Sequence, residues 1–385
     1  MMMKIPFHRV HTTDEEYRAL ADALASGWLT MGPRTFGFEE AFKRFTGAGN
    51  AVAVSSCTAA LHLSLVAAGV GPGDEVIIPA MTFVATAEAV RYTGARAVLC
   101  DVRRDDATID PDAVERRITK RTRAVIPVHF GGTPCGMDRI METAKNHGLA
   151  VIEDAAHALP AYYNGTCVGT IGDFTCFSFY ATKPLSAGEG GMITTSDDGA
   201  AERCRRLRLH GISREAWNRY ADGGSWRYDV TETGFKYNMT DIQAALGTVQ
   251  LSRQNELRSR RARIAAMYDD AFGTNPGLIP HAHQPGSTSA HHLYVLRVNI
   301  EAGQTRDSLI SHLASCGIGT SVHYIPLYRF TSFKDSGYTP EDFPNCEWLF
   351  ERSLSLPVYP GLTDDEVRYV IDTVSAATGG GGGVS

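Results

Sequence analysis

The sequence predicts an α/β protein: a mostly parallel central sheet with helices on both faces, plus a smaller C-terminal α+β domain. Two observations carry this. Short apolar runs recur through the first 200 or so residues, with helical segments between most of them, the pattern of parallel strands buried on both faces. From about residue 250 the pattern changes to a long charged helix followed by alternating, strand-like residues.

The elements follow in order. Gly32-Pro33 precedes an amphipathic helix at 35–42. Residues 51–54 form a buried strand that ends at Ser55-Ser56-Cys57-Thr58. Residues 59–68 form a helix stopped by Gly69. Further strands are expected at 75–79, 97–101, 124–128 and 150–154, with a helix at 138–147 before the last of them. Residues 192–195 make another short strand, and 242–251 a helix. Then come the charged helix 251–272, a strand at 293–298, a helix at 305–316, a second strand near 320–322, and a last helix from Thr363. This places a large domain at 12–250, a small one at 251–378 together with 1–11, and a flexible Gly-rich tail at 379–385.

Composition narrows the function. Hydrophobic residues make up 43% and charged residues 21% of the 385, an ordinary globular balance. The net charge of −6 argues against general nucleic-acid binding, which needs a basic face. No run approaches the ~18 apolar residues of a membrane span, and residues 1–6 carry no signal-peptide pattern. The eight cysteines are scattered and never form Cys-x-x-Cys. Reduced thiols, a cytoplasmic location and no metal centre are the expectation.

The chemistry centres on Lys183. It lies in Phe177-Ser178-Phe179-Tyr180-Ala181-Thr182-Lys183, just before Gly188-Glu189-Gly190-Gly191. Upstream, the apolar run 150–154 ends in Asp154. An acid at a strand end, a hydroxyl before a lysine and a Gly turn suit pyridoxal phosphate. The acid meets the ring nitrogen, the hydroxyl the phosphate, and the lysine forms the Schiff base. A free lysine, with pKa near ~10.4, is a poor nucleophile at neutral pH; an isolated one is usually a surface residue. Asp154 on its own would also suit a helix N-cap. Cys57 and Thr58, at a strand-to-helix junction, offer a second phosphate cradle. Phe83 can stack on the ring or pack in the core. His157 follows Asp154 by three residues, one helical turn if a helix forms there, and would then face the ring. Asn238 sits in the N-cap neighbourhood of the helix 242–251.

Together these residues resemble the DegT/StrS family of sugar aminotransferases, which have the aspartate-aminotransferase fold (fold type I). The likeness runs from Ser26-Gly27-Trp28-Leu29-Thr30-Met31-Gly32-Pro33 to Leu354-Ser355-Leu356-Pro357-Val358-Tyr359-Pro360, through Gly73-Asp74-Glu75-Val76-Ile77, Ile126-Pro127-Val128-His129-Phe130-Gly131-Gly132, Arg208-Leu209-His210-Gly211 and Val322-His323-Tyr324-Ile325-Pro326-Leu327. The resemblance implies that Lys183 is the Schiff-base lysine and Asp154 the ring-nitrogen partner. It makes His157 a ring neighbour, Cys57, Thr58 and Ser178 phosphate ligands, and Phe83 the stacking aromatic. Asn238 would reach the phosphate of the other subunit of a homodimer with shared active sites. His323 and Tyr324 would line the nucleotide-sugar pocket. The implied reaction moves the amino group of L-glutamate, through pyridoxamine phosphate, onto a UDP- or TDP-linked 4-keto sugar. A C3 keto sugar, a cyclitol ketone, a sugar dehydration and a non-catalytic cofactor-binding protein are the alternatives. The chain departs from the family pattern at Cys57, at Pro184 after the lysine, and at Leu159-Pro160. Residues 220–228, with Trp226 and Arg227, fall in a variable loop to which no role is carried over.

Overall fold

The structure, a computed structural model, describes residues 3–213 and 227–379. The chain opens with two helices, α1 (Asp14–Ala25) and α2 (Pro33–Thr46), then strand β1 (Asn50–Val54) and helix α3 (Cys57–Ala67). Strand and helix alternate through β2 (Glu75–Pro79), α4 (Val84–Tyr92), β3 (Arg96–Cys100), α5 (Pro111–Arg117), β4 (Thr122–Val125), α6 (Met137–His147) and β5 (Ala150–Asp154). A short hairpin, β6 (Tyr162–Tyr163) and β7 (Thr166–Cys167), precedes β8 (Phe174–Ser178), β9 (Gly191–Thr195) and α7 (Asp198–Leu207). Next are α8 (Asp241–Ser252), α9 (Gln254–Phe272), β10 (Leu278–Pro280), β11 (Ser287–Thr288) and β12 (Tyr294–Val298). The chain closes with α10 (Arg306–Ser315), α11 (Pro344–Arg352), β13 (Ser353–Leu356) and α12 (Asp364–Ala377).

Seven strands form one sheet in the order β1-β9-β8-β5-β4-β2-β3. Only β9 runs against its neighbours. The other strands therefore point one way, and their carboxyl ends gather along one edge. Gly191 stands opposite both Val54 and Ser178, and Asp154 opposite Cys176. A parallel sheet of this kind binds its ligand at that edge. Strands β2 and β8 are buried along their whole length, and each buried Val, Leu or Ile side chain contributes about 1.5–3 kcal/mol.

A second, three-stranded sheet has the order β10-β12-β13. A separate apolar cluster surrounds it, with Tyr268 and Phe272 from α9, Val370 and Val374 from α12, and Ile5 from the N-terminal segment. Leu327, Phe343 and Leu349 pack instead into the cluster of the large sheet. The C-terminal third of the chain thus contributes to both cores.

Several expectations are corrected. The expected strand at 124–128 ends at Val125, because Pro127 has no N–H to give the ladder. Residues 320–322 form only a single bridge, Ser321 to Ser355; the partner strand there is β13. The charged helix starts at Gln254, because Arg253, at φ −98° and ψ 0°, breaks it from α8. Helix α3 starts at Cys57, two residues early, since Ser56 caps it through Ala59 N–H. Tyr220, Trp226 and residues 380–385 of the Gly-rich tail lie outside the described residues.

Candidate active site

Six separate stretches of chain meet at the carboxyl edge of the large sheet and enclose a cavity of about 550 Å³. Lys183, Asp154, His157, Ser178, Cys57 and Thr58 all line it, as do Phe83, His323 and Tyr324. Nine of the ten residues singled out in the sequence are therefore brought together. Asn238 is the tenth. It does not line the cavity but bridges to Val54 beside it, and its amide donates to Met239 O at 3.3 Å.

Asp154 is the last residue of β5 and is buried. No helix follows it: residues 156–157 form a turn, closed by Ala158 N–H to Ala155 O at 3.0 Å. The expectation that His157 stands one helical turn from Asp154 is corrected accordingly. Asp154 Oδ1 accepts from Ala156 N–H at 3.1 Å, an Asx-turn. Oδ2 accepts from the Thr86 hydroxyl at 2.8 Å, which is itself 2.9 Å from Thr82 Oγ1. Burial pushes the carboxyl above its ordinary range, against the pull of Thr86, the Ala156 N–H and the Lys183 charge. A cationic ring nitrogen would satisfy this carboxylate.

Lys183 sits in a tight turn, its N–H donating to Tyr180 O at 2.9 Å. The turn is tied down on both sides. Phe179 N–H donates to Gly190 O, and Ala187 N–H to Phe179 O, each at 2.9 Å. Gly190 has φ +152°, which few other residues adopt. A Cβ on Gly191 would come within 2.6 Å of the Ser56 carbonyl. Gly191 therefore lets the start of β9 press against the N-terminus of α3, while Gly190 makes room for Met239 and Phe179. Burial lowers the Lys183 ammonium from its usual range, while Asp154 and Cys57 partly hold it up.

Helix α3 aims its first turn into the cavity through Cys57 and Thr58. The N–H groups of a first turn have no partner within the helix, and they favour an anion. The Cys57 thiol itself points to the Cys176 carbonyl at 3.5 Å and Asp154 Oδ1 at 4.0 Å. Burial pushes that thiol well up, Asp154 adding to the effect. The residue can therefore serve a phosphate only through its backbone.

His157 is buried between two partners. Gly131 N–H donates to Nδ1 at 3.2 Å, so Nδ1 carries no proton. Burial, then the charge of Lys183 and the nearby His323, hold the ring well below its usual pKa and keep it neutral. Its proton is therefore on Nε2, which donates to Tyr324 Oη at 3.1 Å. The hydroxyl of Tyr324 is left free to donate. Burial, reinforced by Asp154, raises that phenol far above its usual range. His323 Nδ1 lies 2.8 Å from Ser355 Oγ, and burial, then Lys183, lowers its pKa to about 4. Phe83 is 58% exposed and tilts against Tyr324 with ring centroids 5.9 Å apart.

Sequence reasoning passed over Thr82, Thr86 and His292, whose ring lies 4.5 Å from that of His157. Thr86 had one available signal: a polar residue one turn into an otherwise apolar helix start. His292 had none, since it arrives from the distant end of the chain. Among the described residues, no group of three or more His, Cys, Asp or Glu could hold a metal ion. No helix among them is long and apolar enough to cross a membrane. A buried carboxylate, a half-buried lysine and a helix N-terminus around one cavity fit pyridoxal phosphate in donor type and placement.

Comparison with known proteins agrees. The sequence pattern of the DegT/DnrJ/EryC1/StrS aminotransferase family matches residues 10–375. The chain is 50% identical over 364 residues to the spore coat polysaccharide biosynthesis protein SpsC of Bacillus subtilis (strain 168), covering 94% of this chain and 93% of that one. Spr1654 of Streptococcus pneumoniae, described as a sugar aminotransferase, superimposes with a TM-score of 0.90 at 35% identity. Its form with pyridoxamine phosphate covers 98% of both chains, and it is also solved with pyridoxal phosphate. DesV of S. venezuelae gives a TM-score of 0.87 at 36% identity over 94% of each chain.

Proposed function

We propose the following reaction for this chain, which belongs to the DegT/DnrJ/EryC1/StrS aminotransferase family: the amino group of L-glutamate passes to a nucleotide-linked keto sugar. The chain is a pyridoxal phosphate-dependent sugar aminotransferase of fold type I. What we add is the substrate, a UDP- or TDP-4-keto-6-deoxy hexose that leaves as a 4-amino sugar, and the parts played by individual residues. The observation that supports the aminotransferase chemistry is the meeting of Lys183 and Asp154 in one cavity with the first turn of α3; the substrate rests on the family resemblance.

Bound pyridoxal phosphate supplies an electron sink for the carbanion at the reacting carbon. Asp154, with both oxygens already oriented by Thr86 and Ala156, keeps the ring nitrogen protonated. Cys57 N–H, Thr58 and Ser178 hold the phosphate, and Asn238 reaches the phosphate of a second subunit. Phe83 would cover one ring face, and His157 would stand beside the ring. Lys183 would hold the resting cofactor covalently and, once freed, would move a proton at its Nζ between donor and acceptor carbons; burial lowers its pKa from the usual range. Tyr324 offers its free hydroxyl, and His323 its ring, to the sugar.

A homodimer with shared sites is part of this reading. Phe83 and Tyr180 line the cavity yet remain 58% and 47% exposed, an apolar rim that a second copy would cover. Eight free thiols support a cytoplasmic setting.

The test supplies the loaded enzyme with L-glutamate and a panel of nucleotide-linked keto sugars. We expect 2-oxoglutarate and a 4-amino sugar in equal amounts, each requiring the other substrate, and none of either from Lys183→Ala. An enzyme that consumes no amino donor in the presence of any keto sugar overturns the reading.

A further inference from the structure

Behind Lys183 lies a second, much smaller cavity of about 20 Å³, separate from the large one but sharing the lysine. Its lining carries six basic residues, His8, Arg9, His11, Lys183, Arg261 and His292, and no carboxylate. Three of its side chains end in buried polar atoms without a partner: Arg261 Nη2, Tyr359 Oη and His8 Nε2. They come from α9, from the stretch after β13 and from the N-terminal segment, so three distant parts of the chain aim unmet hydrogen-bonding groups at one small space.

Arg261 is the telling residue. Its side chain is 3% exposed. Its Nε donates to Ala290 O at 3.0 Å, and no carboxylate pairs with it among the described residues. Glu16, which reaches the lining residue Gln250 at 2.6 Å, is committed to it and to Arg253 at 2.9 Å. A buried ion with no counter-charge costs several kcal/mol. A water molecule in the cavity would complete the hydrogen bonds and leave that charge uncompensated.

We propose that this cavity is a binding site for a monatomic anion, chloride in the cell, held by Arg261 Nη2 and the Tyr359 hydroxyl. The size sets the class of ligand. A cavity needs roughly 10–15 Å³ of this measure to hold one water, so the space admits an ion of atomic size and excludes phosphate and carboxylates. Both named groups can only donate to the anion. Burial, with Glu366 adding to it, raises Tyr359 to about 12, so the phenol keeps its proton. The Arg261 guanidinium, drawn down to about 9 by burial and by neighbouring Arg258, regains a counter-charge. His8 touches the same space and faces Tyr359 edge-on, ring centroids 6.1 Å apart; burial lowers its pKa, and Arg261 adds to that, so the ring is neutral and brings no charge to the site. The anion thus ties α9 to the stretch after β13, at the back of the lysine turn.

Two measurements test this on the cofactor-loaded protein. Crystals grown without halide are soaked in sodium bromide, and anomalous scattering is measured at the bromine edge. We expect a peak between Arg261 and Tyr359 that is lost in Arg261→Met. Thermal unfolding is then compared in sodium chloride and sodium gluconate at equal ionic strength. Chloride should raise Tm by about 2–4 °C, and the difference should vanish in Arg261→Met and shrink in Tyr359→Phe. Should Arg261→Met fail to fold, the wild-type salt comparison and Tyr359→Phe decide. A water in place of the bromide peak overturns the proposal. So does an equal Tm in the two salts, even with a bromide peak, since that means binding at crystal concentration only.

Discussion

Asp154 illustrates how one residue's chemistry depends on neighbours the chain brings from afar. Its burial opposes ionisation, and the Thr86 hydroxyl at 2.8 Å works against that effect. A hydrogen bond to a charged group is worth about 1.5–3 kcal/mol. Thr86→Ala should therefore cost about 10- to 100-fold in kcat/KM if Asp154 acts on the ring nitrogen as proposed. Thr86→Ser should restore most of it, because the oxygen returns. A purely structural role for Thr86 would show as lowered stability in Thr86→Ala with unchanged kcat/KM. The same scale explains why the Cys57 thiol is inert: it is buried against Asp154 and faces a carbonyl.

At the scale of elements, α2 depends on α8. The first turn of α2 follows Gly32, which has no side chain to cap it. Asp241, itself in the first turn of α8, caps it from across the fold. Its Oδ1 accepts from Gly32 N–H at 2.8 Å and from Thr35 N–H and Oγ1–H at 2.9 and 2.7 Å, and Oδ2 from Arg34 N–H at 3.1 Å. Removing this buried acceptor leaves several donors unsatisfied, at about 1–3 kcal/mol each before relaxation. Asp241→Ala should lose roughly 3 kcal/mol or more in denaturant unfolding, and Asp241→Asn clearly less. Equal losses in the two variants would mean that packing, not hydrogen bonding, holds α2 there.

The whole molecule is pinned at its N-terminal end by one acid. Glu16 in α1 is buried and bonds Gln250 of α8 and Arg253 beyond it. Burial pushes its carboxyl up, but the Thr13 hydroxyl and backbone N–H and the Gln250 amide outweigh this and hold it at about 2. A folded-state pKa below the unfolded one means stability that is present above pH ~4.5 and lost as pH falls toward 2. Wild-type protein should therefore lose stability steadily over that acid window. Glu16→Gln should be less stable at neutral pH and show a flatter acid limb; an unchanged limb would place the acid sensitivity elsewhere.

Much of this was legible in the sequence, for local reasons. Each strand of the large sheet that was foreseen is built on a short apolar run, and the strand at 150–154 matches β5 at both ends. The Gly188-Glu189-Gly190-Gly191 turn and the Ser56–Thr58 junction are short-range features, so Lys183, Ser178 and Thr58 could be picked out with Asp154. Strand β8 escaped because its residues alternate apolar with Thr and Ser while being buried throughout. Strand β13 escaped because it is only four residues long and follows directly on α11, too short a run for its alternation to stand out. The sequence by itself determined which residues carry chemistry and which segments can be strand or helix, since both depend on neighbours a few positions away. Tertiary structure alone decided that Thr86 meets Asp154, that His157 donates to Tyr324, and that Arg261 is buried with no carboxylate partner among the described residues. Those pairings join residues many positions apart, and only the packing of one segment on another sets their distances.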